Sequence, residues 1–169
     1  VGPANAIIDL GCGTGIVTAK LQYKKLYALD LSDKMLNVAK QKLGQKNITY
    51  IHSSFDDFVG LELDLAFANM SLQWSEDLKL TLANINSNLK SGGILAFSLP
   101  LVGTFSGLGV STIGFLEFNQ IKELLSNWQI IHSFEEQIDY VFPSLIEGLK
   151  SIRAVGANYC KYRKNIFIP

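Results

Sequence analysis

The stretch Ala6-Ile-Ile-Asp-Leu10 runs directly into Gly11-Cys-Gly-Thr-Gly15, and a second apolar run, Tyr27-Ala-Leu, ends at Asp30. An apolar run that leads into a glycine-rich turn, followed by a helix and a second apolar run with an acid at its end, is typical of a βαβ unit that binds a nucleotide. The glycines let the backbone approach the ligand closely, and the second acid is placed to accept hydrogen bonds from a ribose diol. We therefore predict an α/β fold with a nucleotide site at its first loop.

The spacing of the glycines narrows the choice of nucleotide. Dinucleotide-binding loops follow the pattern G-x-G-x-x-G, with the pyrophosphate at the start of the helix. Here Gly11, Gly13 and Gly15 follow the pattern G-x-G-x-G, and Asp9 stands two residues before the first of them. This loop resembles that of class I S-adenosylmethionine-dependent methyltransferases, whose cofactor has no pyrophosphate. The resemblance implies S-adenosyl-L-methionine as the cofactor, and the same spacing disfavours a nicotinamide-dependent oxidoreductase.

Composition excludes several other classes of protein. The chain has 169 residues, of which 48% are hydrophobic and 18% charged, as in a globular α/β domain rather than a disordered chain. Fifteen basic residues balance fifteen acidic ones, which weighs against a long nucleic acid as partner. Without a long apolar run or a signal peptide, we expect no membrane partner and a cytoplasmic location. The two cysteines, Cys12 and Cys160, lie far apart, so no metal site is predicted.

Strand and helix patterns alternate along the chain, which predicts a Rossmann-like, doubly wound, mostly parallel sheet in a single domain over residues 1–169. We expect strands over 6–10, 26–31, 48–52, 63–68 and 94–99, with a further strand-like stretch over 130–142. Helices are predicted over 14–22, 33–43, 77–89, 119–127 and 144–155. Residues 101–118 are rich in glycine, serine and threonine and form a candidate lid or acceptor loop. Because the chain begins almost on the first strand, we expect that it is truncated at its N-terminus.

The carboxyl ends of parallel strands meet at one edge of a sheet, where ligands of such folds bind. The resemblance implies that Leu31 and Met35 line the adenine pocket, although Met35 at helical spacing equally suits a core position. An acid that contacts the adenine amino group is common after the third strand of these enzymes; here Ser54 stands in its place, and Phe55 is suited to stack on the base. The predicted cofactor-binding residues are Asp9, Gly11, Cys12, Gly13, Gly15, Asp30, Leu31, Met35, Ser54, Phe55 and Asn69.

The end of the fourth strand bears on the acceptor. Methyltransferases of DNA bases or glutamine typically carry Asn/Asp-Pro-Pro-Tyr/Phe at this point, whereas this chain has Asn69-Met-Ser-Leu-Gln-Trp74. The triplet Leu72-Gln73-Trp74 resembles that of enzymes which methylate carboxylic acids, among them the trans-aconitate methyltransferases and the malonyl-ACP O-methyltransferases of biotin synthesis. Two later stretches, over 97–108 and 142–158, are similar to the second of these families. Trp74 alternatively serves as an anchor for the helix that follows it.

A carboxylate acceptor requires little acid–base catalysis, because a carboxylic acid with a pKa near 4 is already ionised at pH 7. We therefore assign no catalytic residue and expect transfer by alignment of the reactants; neither His52 nor His132 receives a catalytic role. Gln73 and Trp74 are predicted to bind the acceptor. Recognition of a carboxylate favours arginine, and the chain has two candidates, Arg153 and Arg163, each of which alternatively is a solvated surface charge.

The sequence thus predicts a carboxyl O-methyltransferase whose partner is an acyl-carrier protein bearing a malonyl group. The basic residues Lys161, Arg163 and Lys164 are candidates for docking that acidic carrier, or belong to a solvated tail. Two alternatives stay open. One is a methyltransferase of a free small carboxylic acid, of the trans-aconitate type, and the other is a truncated, non-catalytic domain that binds the cofactor.

Overall fold

A computed structural model of the protein describes residues 4–104 and 115–154, with side chains described up to Ser151 in the last helix. The chain falls into two compact units. Of the described residues, the first unit comprises 4–101, 115 and 116, and the second comprises 102–104 and 117–154.

The first unit is built on a five-stranded sheet in which every neighbouring pair of strands is parallel. The strands are β1 (Ala4–Leu10), β2 (Tyr23–Asp30), β3 (Ile48–His52), β4 (Leu63–Asn69) and β5 (Leu89–Ser98), and their order in the sheet is β3-β2-β1-β4-β5. Two helices belong to this unit, α1 (Asp33–Leu43) and α2 (Leu78–Asn88). This is the predicted Rossmann-like parallel architecture.

The apolar strands lie at the centre of the sheet, as expected for strands covered on both faces. Ile7, Ile8 and Leu10 of β1 are almost fully buried, as are Leu26 and Leu29 of β2. The edge strand β3 has no fully buried residue, and each of its side chains is half-buried or exposed. The core therefore forms around β1, β2 and β4, and the carboxyl ends of these three strands are rigidly placed.

Both helices of this unit begin and end where residue chemistry predicts. The Ser32 hydroxyl accepts a hydrogen bond from the Met35 backbone N–H at 3.4 Å, and α1 ends at Gly44, whose φ of +74° favours glycine. The Asp77 carboxylate accepts from the backbone N–H groups of Lys79 and Leu80 and thereby begins α2. These two caps determine where the segments after β2 and β4 turn back along the sheet.

The helix predicted over 14–22 is wrong, since that segment contains only a single 3-10 turn, Thr18–Lys20. Gly11, Gly13 and Gly15 all have positive φ, so a right-handed helix cannot begin before Ile16. Because β2 begins at Tyr23, earlier than predicted, few residues remain between the loop and the strand. A segment of that length has room for about two turns, which is too short for a stable helix.

The second unit contains α3 (Phe118–Leu124) and α4 (Leu145–Ala154), both close to predicted helices. The predicted strand over 130–142 is wrong, because these residues have no regular secondary structure. Their apolar side chains are largely exposed, and that of Val141 is 97% exposed. A strand needs a neighbouring strand to satisfy its backbone groups, and in the described ranges nothing pairs with this segment.

Several predicted features fall outside the described residues. Of the candidate lid or acceptor loop over 101–118, residues 105–114 are not described, while Val102, Gly103 and Thr104 form a turn. The basic residues Lys161, Arg163 and Lys164 lie beyond the described range, as does Cys160. Among the helices that are described, none is both long and apolar enough to cross a membrane.

Candidate functional site

The carboxyl ends of all five strands meet along one edge of the sheet. Because β1 lies between β2 and β4, the chain leaves β1 toward one side of the sheet and later returns to its other side. Such a reversal opens a crevice beyond the strand ends, which is the usual ligand site of an open parallel sheet. The residues that end the strands are, in sheet order, His52, Asp30, Leu10, Asn69 and Ser98.

The glycine loop after β1 lies at the centre of this edge. The backbone N–H groups of Gly11 and Cys12 donate to the Leu29 carbonyl at 2.8 and 2.9 Å, so the loop turns toward β2. A Cβ atom on Gly11 would lie 2.5 Å from the Ser71 Cβ, whereas one on Gly13 would meet nothing within 4 Å. Gly11 is thus required for packing within the protein, and the open side of Gly13 is available to a ligand.

Asp30 connects this loop to the start of α1. One of its carboxylate oxygens accepts from the Gly13 backbone N–H at 2.8 Å, and the other accepts from the Ser32 backbone N–H at the same distance. Each carboxylate oxygen has two acceptor sites. The predicted ribose-binding acid therefore keeps a free lone pair on each oxygen for two hydroxyl donors.

Asp9, at the end of β1, is a buried acid with one side-chain partner. Thr18 donates from its hydroxyl to the Asp9 carboxylate at 2.6 Å. Burial raises the pKa of Asp9 to about 6; the hydrogen bond from Thr18 opposes the rise, and the negative charge of Asp30 adds to it. The site thus contains two neighbouring carboxylates, one of which is ionised at a cost.

Cys12 is a packing residue in this loop. It lies in an apolar cluster with Ala28 and Leu36. Burial raises the pKa of its thiol to about 12, and the charges of Asp9 and Asp30 act in the same direction. Its sulfur is therefore a neutral thiol at physiological pH rather than a nucleophile.

Two apolar side chains lie exposed beside Asp30. Leu31 is 71% exposed and Met35 is 43% exposed, so Met35 does not occupy the core position that its spacing also allowed. Phe55 approaches the glycine loop from β3, and its Cζ would lie 3.7 Å from a Cβ on Gly11. Leu31 and Met35 are thus exposed next to Asp30, and Phe55 lies beside the glycine loop, as the predicted adenine contacts require.

The acids after β3 have partners within the protein. The Ser54 hydroxyl donates to the Asp57 carboxylate at 2.7 Å, and Thr81 of α2 donates to the Asp56 carboxylate at 2.7 Å. Asn84, also on α2, donates from its amide to the Phe55 carbonyl at 2.9 Å. The segment that carries Ser54 and Phe55 is therefore attached to α2, a connection that the sequence reading did not find.

The segment after β4 has an unusual backbone conformation. Met70 has a φ of +51°, and the Gln73 amide donates to its carbonyl at 2.8 Å. Ser98 at the end of β5 donates to the Asn69 side-chain oxygen at 3.0 Å and accepts from the Met70 N–H at 3.1 Å. Ser71 donates to the Leu10 carbonyl at 2.5 Å and so ties this segment to β1.

The predicted acceptor residues are only partly described. The donor group of Gln73 is engaged by Met70, and its other amide atom, Oε1, is buried without a partner. Trp74 follows it in the same short 3-10 turn and is partly exposed. Arg153 lies in α4 but its side chain is not described, and Arg163 lies outside the described residues.

The chemistry of the crevice fits a cationic cofactor without phosphate groups. Asp9 and Asp30 bring two carboxylates together, and no lysine or arginine is among the five residues that end the strands. S-adenosylmethionine carries a positive sulfur and no phosphate, so its charge is complementary to these acids. Within the described ranges, no group of three histidine, cysteine or acidic side chains is arranged to hold a metal ion.

Comparison with known proteins also indicates a methyltransferase. Residues 8–97 match the family described as methyltransferase domain. The chain is 39% identical over 167 residues to malonyl-[acyl-carrier protein] O-methyltransferase 2 of Coxiella burnetii, covering 94% of this chain and 67% of that protein. It is 31% identical to the malonyl-[acyl-carrier protein] O-methyltransferase of Anoxybacillus flavithermus, covering 99% of this chain and 73% of that protein. The malonyl-[acyl-carrier protein] O-methyltransferase of Hamiltonella defensa is 30% identical, covering 90% of this chain and 63% of that protein. The chain therefore spans about two thirds of the length of these relatives.

Solved structures share the fold. An S-adenosylmethionine-dependent methyltransferase from Mesorhizobium loti is 30% identical, with a TM-score of 0.54 over 60% of this chain and 48% of that one. The N-methyltransferase NodS of Bradyrhizobium japonicum, solved with S-adenosyl-L-homocysteine, superposes with a TM-score of 0.65 over 75% of this chain and 66% of that one. At 21% identity, the second likeness concerns the fold alone.

Proposed function

The chain belongs to the family of S-adenosylmethionine-dependent methyltransferase domains, and we propose that it esterifies the free carboxylate of a malonyl group on acyl-carrier protein, a step of biotin synthesis. The names of the curated relatives support this acceptor. Esterification masks a negative charge, so that enzymes which extend acyl chains accept the product. We place the reaction in the cytoplasm.

The observation that carries the proposal is that each of the acids and the histidine described beside the crevice already has a polar partner within the protein. An amine or alcohol acceptor must give up a proton during the reaction, for which a free base within reach is an advantage. A carboxylate acceptor arrives already ionised at pH 7. Partners are present for Asp9 (Thr18), Asp30 (Gly13 and Ser32), His52 (Leu31 and Asp33), Asp56 (Thr81) and Asp57 (Ser54).

The proposed roles of the site residues follow from their placement. Bound S-adenosylmethionine supplies a methyl group on a positively charged sulfur. Asp30 accepts from the ribose hydroxyls, the open side of Gly13 admits the cofactor, and Asp9 adds negative charge opposite its cationic part. The acceptor oxygen forms a bond to the methyl carbon while the carbon–sulfur bond breaks and its electron pair stays on sulfur. Catalysis then depends on the alignment of these atoms and the exclusion of water.

For the acceptor we retain Gln73, Trp74, Arg153 and Arg163 as the proposed contacts. The amide oxygen of Gln73 accepts but does not donate, so after a rotation of the side chain that exposes it, it suits an N–H group of the substrate rather than its carboxylate. Arg153 and Arg163 are then the residues proposed to bind the carboxylate. The basic residues Lys161, Arg163 and Lys164 are proposed to face the acidic carrier protein.

The test is transfer of labelled methyl from S-adenosylmethionine to malonyl-ACP, beside free malonate and the carrier protein without a malonyl group. We expect label on malonyl-ACP alone, released by mild base as expected for a methyl ester. The Asp30→Ala variant serves as the control, since it should lose most of this transfer through weak cofactor binding.

The other outcomes separate the alternatives. Label on free malonate as readily as on malonyl-ACP would replace the proposal with a methyltransferase of small acids. Cofactor binding without transfer to either acid would support a non-catalytic binding domain. Base-stable label on the carrier protein that bears no malonyl group would contradict carboxyl methylation altogether.

A further inference from the structure

His52, the last residue of β3, lies beside the turn that joins β2 to α1. In the parallel pairing of these strands it stands opposite Asp30, and the Ser53 N–H donates to the Asp30 carbonyl at 3.3 Å. The turn itself comprises Leu31 and Ser32, and α1 begins at Asp33. An edge-strand residue is thus adjacent to the proposed ribose and adenine contacts.

Both ring nitrogens of His52 face acceptors on this turn. Its Nε2 lies 2.9 Å from the Leu31 carbonyl oxygen, and its Nδ1 lies 3.3 Å from an Asp33 carboxylate oxygen. Because a carbonyl oxygen only accepts, Nε2 is the donor in the first contact. One side chain therefore contacts the turn at its first residue through Nε2 and the first residue of α1 through Nδ1.

The turn carries the two groups on which adenosine binding is proposed to depend. The Asp30 carboxylate accepts from the Ser32 N–H within the turn at 2.8 Å, so the position of the carboxylate depends on that of the backbone. Leu31 exposes most of its side chain although it is a large apolar residue, and its carbonyl is the one that His52 binds. Any displacement of the Leu31 backbone therefore moves the apolar surface and the acid together.

We propose that His52 is a positioning residue for the adenosine part of the cofactor, and that it acts by fixing the turn from Leu31 to Asp33. It touches neither the methyl group nor the acceptor, so its effect is on cofactor affinity and not on the transfer step. The inference rests on the proposed location of the cofactor, but it does not depend on the identity of the acceptor.

The test is the dissociation constant of S-adenosylmethionine, measured by calorimetry for His52→Phe and His52→Gln. Phenylalanine keeps a planar ring and loses both ring nitrogens, whereas the glutamine amide reaches the place of Nε2 and still donates to the Leu31 carbonyl. We expect about three- to tenfold weaker binding for His52→Phe, as for loss of one hydrogen bond. His52→Gln should bind within about twofold of the unchanged protein, and so should His132→Phe, which alters the other histidine.

Two further readouts separate positioning from a general loss of structure. 5′-Methylthioadenosine contains the adenosine part alone, so His52→Phe should weaken its binding by the same factor. In a transfer assay, the KM for the cofactor should rise while kcat stays constant. Asp33→Asn, which keeps the Leu31 contact, should weaken binding by only about twofold.

Unchanged affinity in His52→Phe would overturn the inference, and so would equal losses in the phenylalanine and glutamine variants. If His52→Phe does not fold, His52→Gln alone tests the inference, and a tenfold loss of cofactor affinity in that variant would contradict it. Failure of the proposed acceptor is a separate result, because these binding constants are measured without an acceptor. A protein that binds no S-adenosylmethionine would refute the cofactor placement as well.

Discussion

Gly11 illustrates how a single residue can be required for two reasons. Its φ of +74° is unfavourable for other residues, and a Cβ would overlap the Ser71 Cβ at 2.5 Å. Gly13 also has a positive φ, +54°, but a Cβ there would meet nothing within 4 Å. Both glycines are therefore required for their backbone conformation, but only Gly11 is also required because a side chain would not fit.

We expect Gly11→Ala to lower the free energy of unfolding by about 2–4 kcal/mol, the sum of backbone strain and overpacking. Gly13→Ala should cost about 1 kcal/mol, since only the backbone term applies. Urea unfolding of both variants, followed by circular dichroism, measures the difference. Equal losses would show that the contact between Gly11 and Ser71 does not limit the structure.

Asp9 makes stability depend on pH. Its pKa in the folded protein, about 6, lies above the ordinary aspartate value of 3.8, so the folded state binds a proton more tightly than the unfolded state between these pH values. Stability therefore falls as the pH rises from about 4 to 6 on account of this group, and the penalty of about 3 kcal/mol is fully present above pH 6. The Asp9→Asn variant has no charge to bury and therefore does not lose this stability at high pH.

We expect Asp9→Asn to be more stable than the unchanged protein by up to about 3 kcal/mol at pH 8. The difference should shrink as the pH falls through 6 and disappear below about 4, where Asp9 is protonated in both states. Thermal unfolding of the two proteins across this range tests the prediction. A difference that does not vary with pH would mean that Asp9 is not the buried acid responsible.

Sequence patterns identified the candidate ligand residues more readily than the residues that support them. Asp30 and the glycines have recognisable spacings, and the structure places them together at one edge of the sheet. Thr18, Ser71 and Ser98 act through contacts with residues far away in the chain, such as the bond from Ser71 to the Leu10 carbonyl. A short hydroxyl side chain has no periodicity of its own, so these contacts emerge only when the strands are assembled.

At the scale of elements, the N-terminus of α2 depends on one side chain. The Asp77 carboxylate accepts two backbone hydrogen bonds there, at 2.9 and 3.1 Å. Since α2 also holds the segment after β3 through Thr81 and Asn84, fraying of this helix would affect the site.

We expect Asp77→Ala to lower the free energy of unfolding by about 1 kcal/mol, whereas Asp77→Asn, which also caps helices, should cost only a few tenths. Chemical unfolding of the two variants provides the measurement. If the alanine variant matches the asparagine variant, the two backbone bonds contribute nothing to the stability of α2.

Elements were predicted well where a local signal and the sheet agreed. The observed limits of β3 and α1 are the predicted ones. An apolar run defines β3, and the caps at Ser32 and Gly44 define the two ends of α1. The helix over 14–22 failed because three positive φ angles and an early β2 shorten the segment. The strand predicted over 130–142 is wrong because nothing within residues 4–104 and 115–154 pairs with this segment.

At the scale of the whole molecule, cofactor binding should raise stability by mass action, because the crevice exists only in the folded sheet. At a free concentration of one hundred times the dissociation constant, S-adenosylmethionine should add about 2.7 kcal/mol to the free energy of unfolding. Thermal shift with increasing cofactor measures this, with Asp30→Ala as a comparison that should show little shift at the same concentrations. An equal shift in both proteins would contradict the role of Asp30.

The irregular segment over 130–142 has a consequence for handling the protein. Chymotrypsin cuts after large aromatic residues, and the chain has ten phenylalanines and six tyrosines. The specificity of the protease therefore does not by itself determine where the chain is cut. Phe134 and Tyr140 are exposed on backbone without regular structure, while Phe67 and Phe97 lie within strands. A protease binds its substrate as an extended chain and therefore cleaves such exposed segments first. Brief digestion of the native protein should yield an early fragment that ends at Phe134 or Tyr140 and retains the five strands of the sheet.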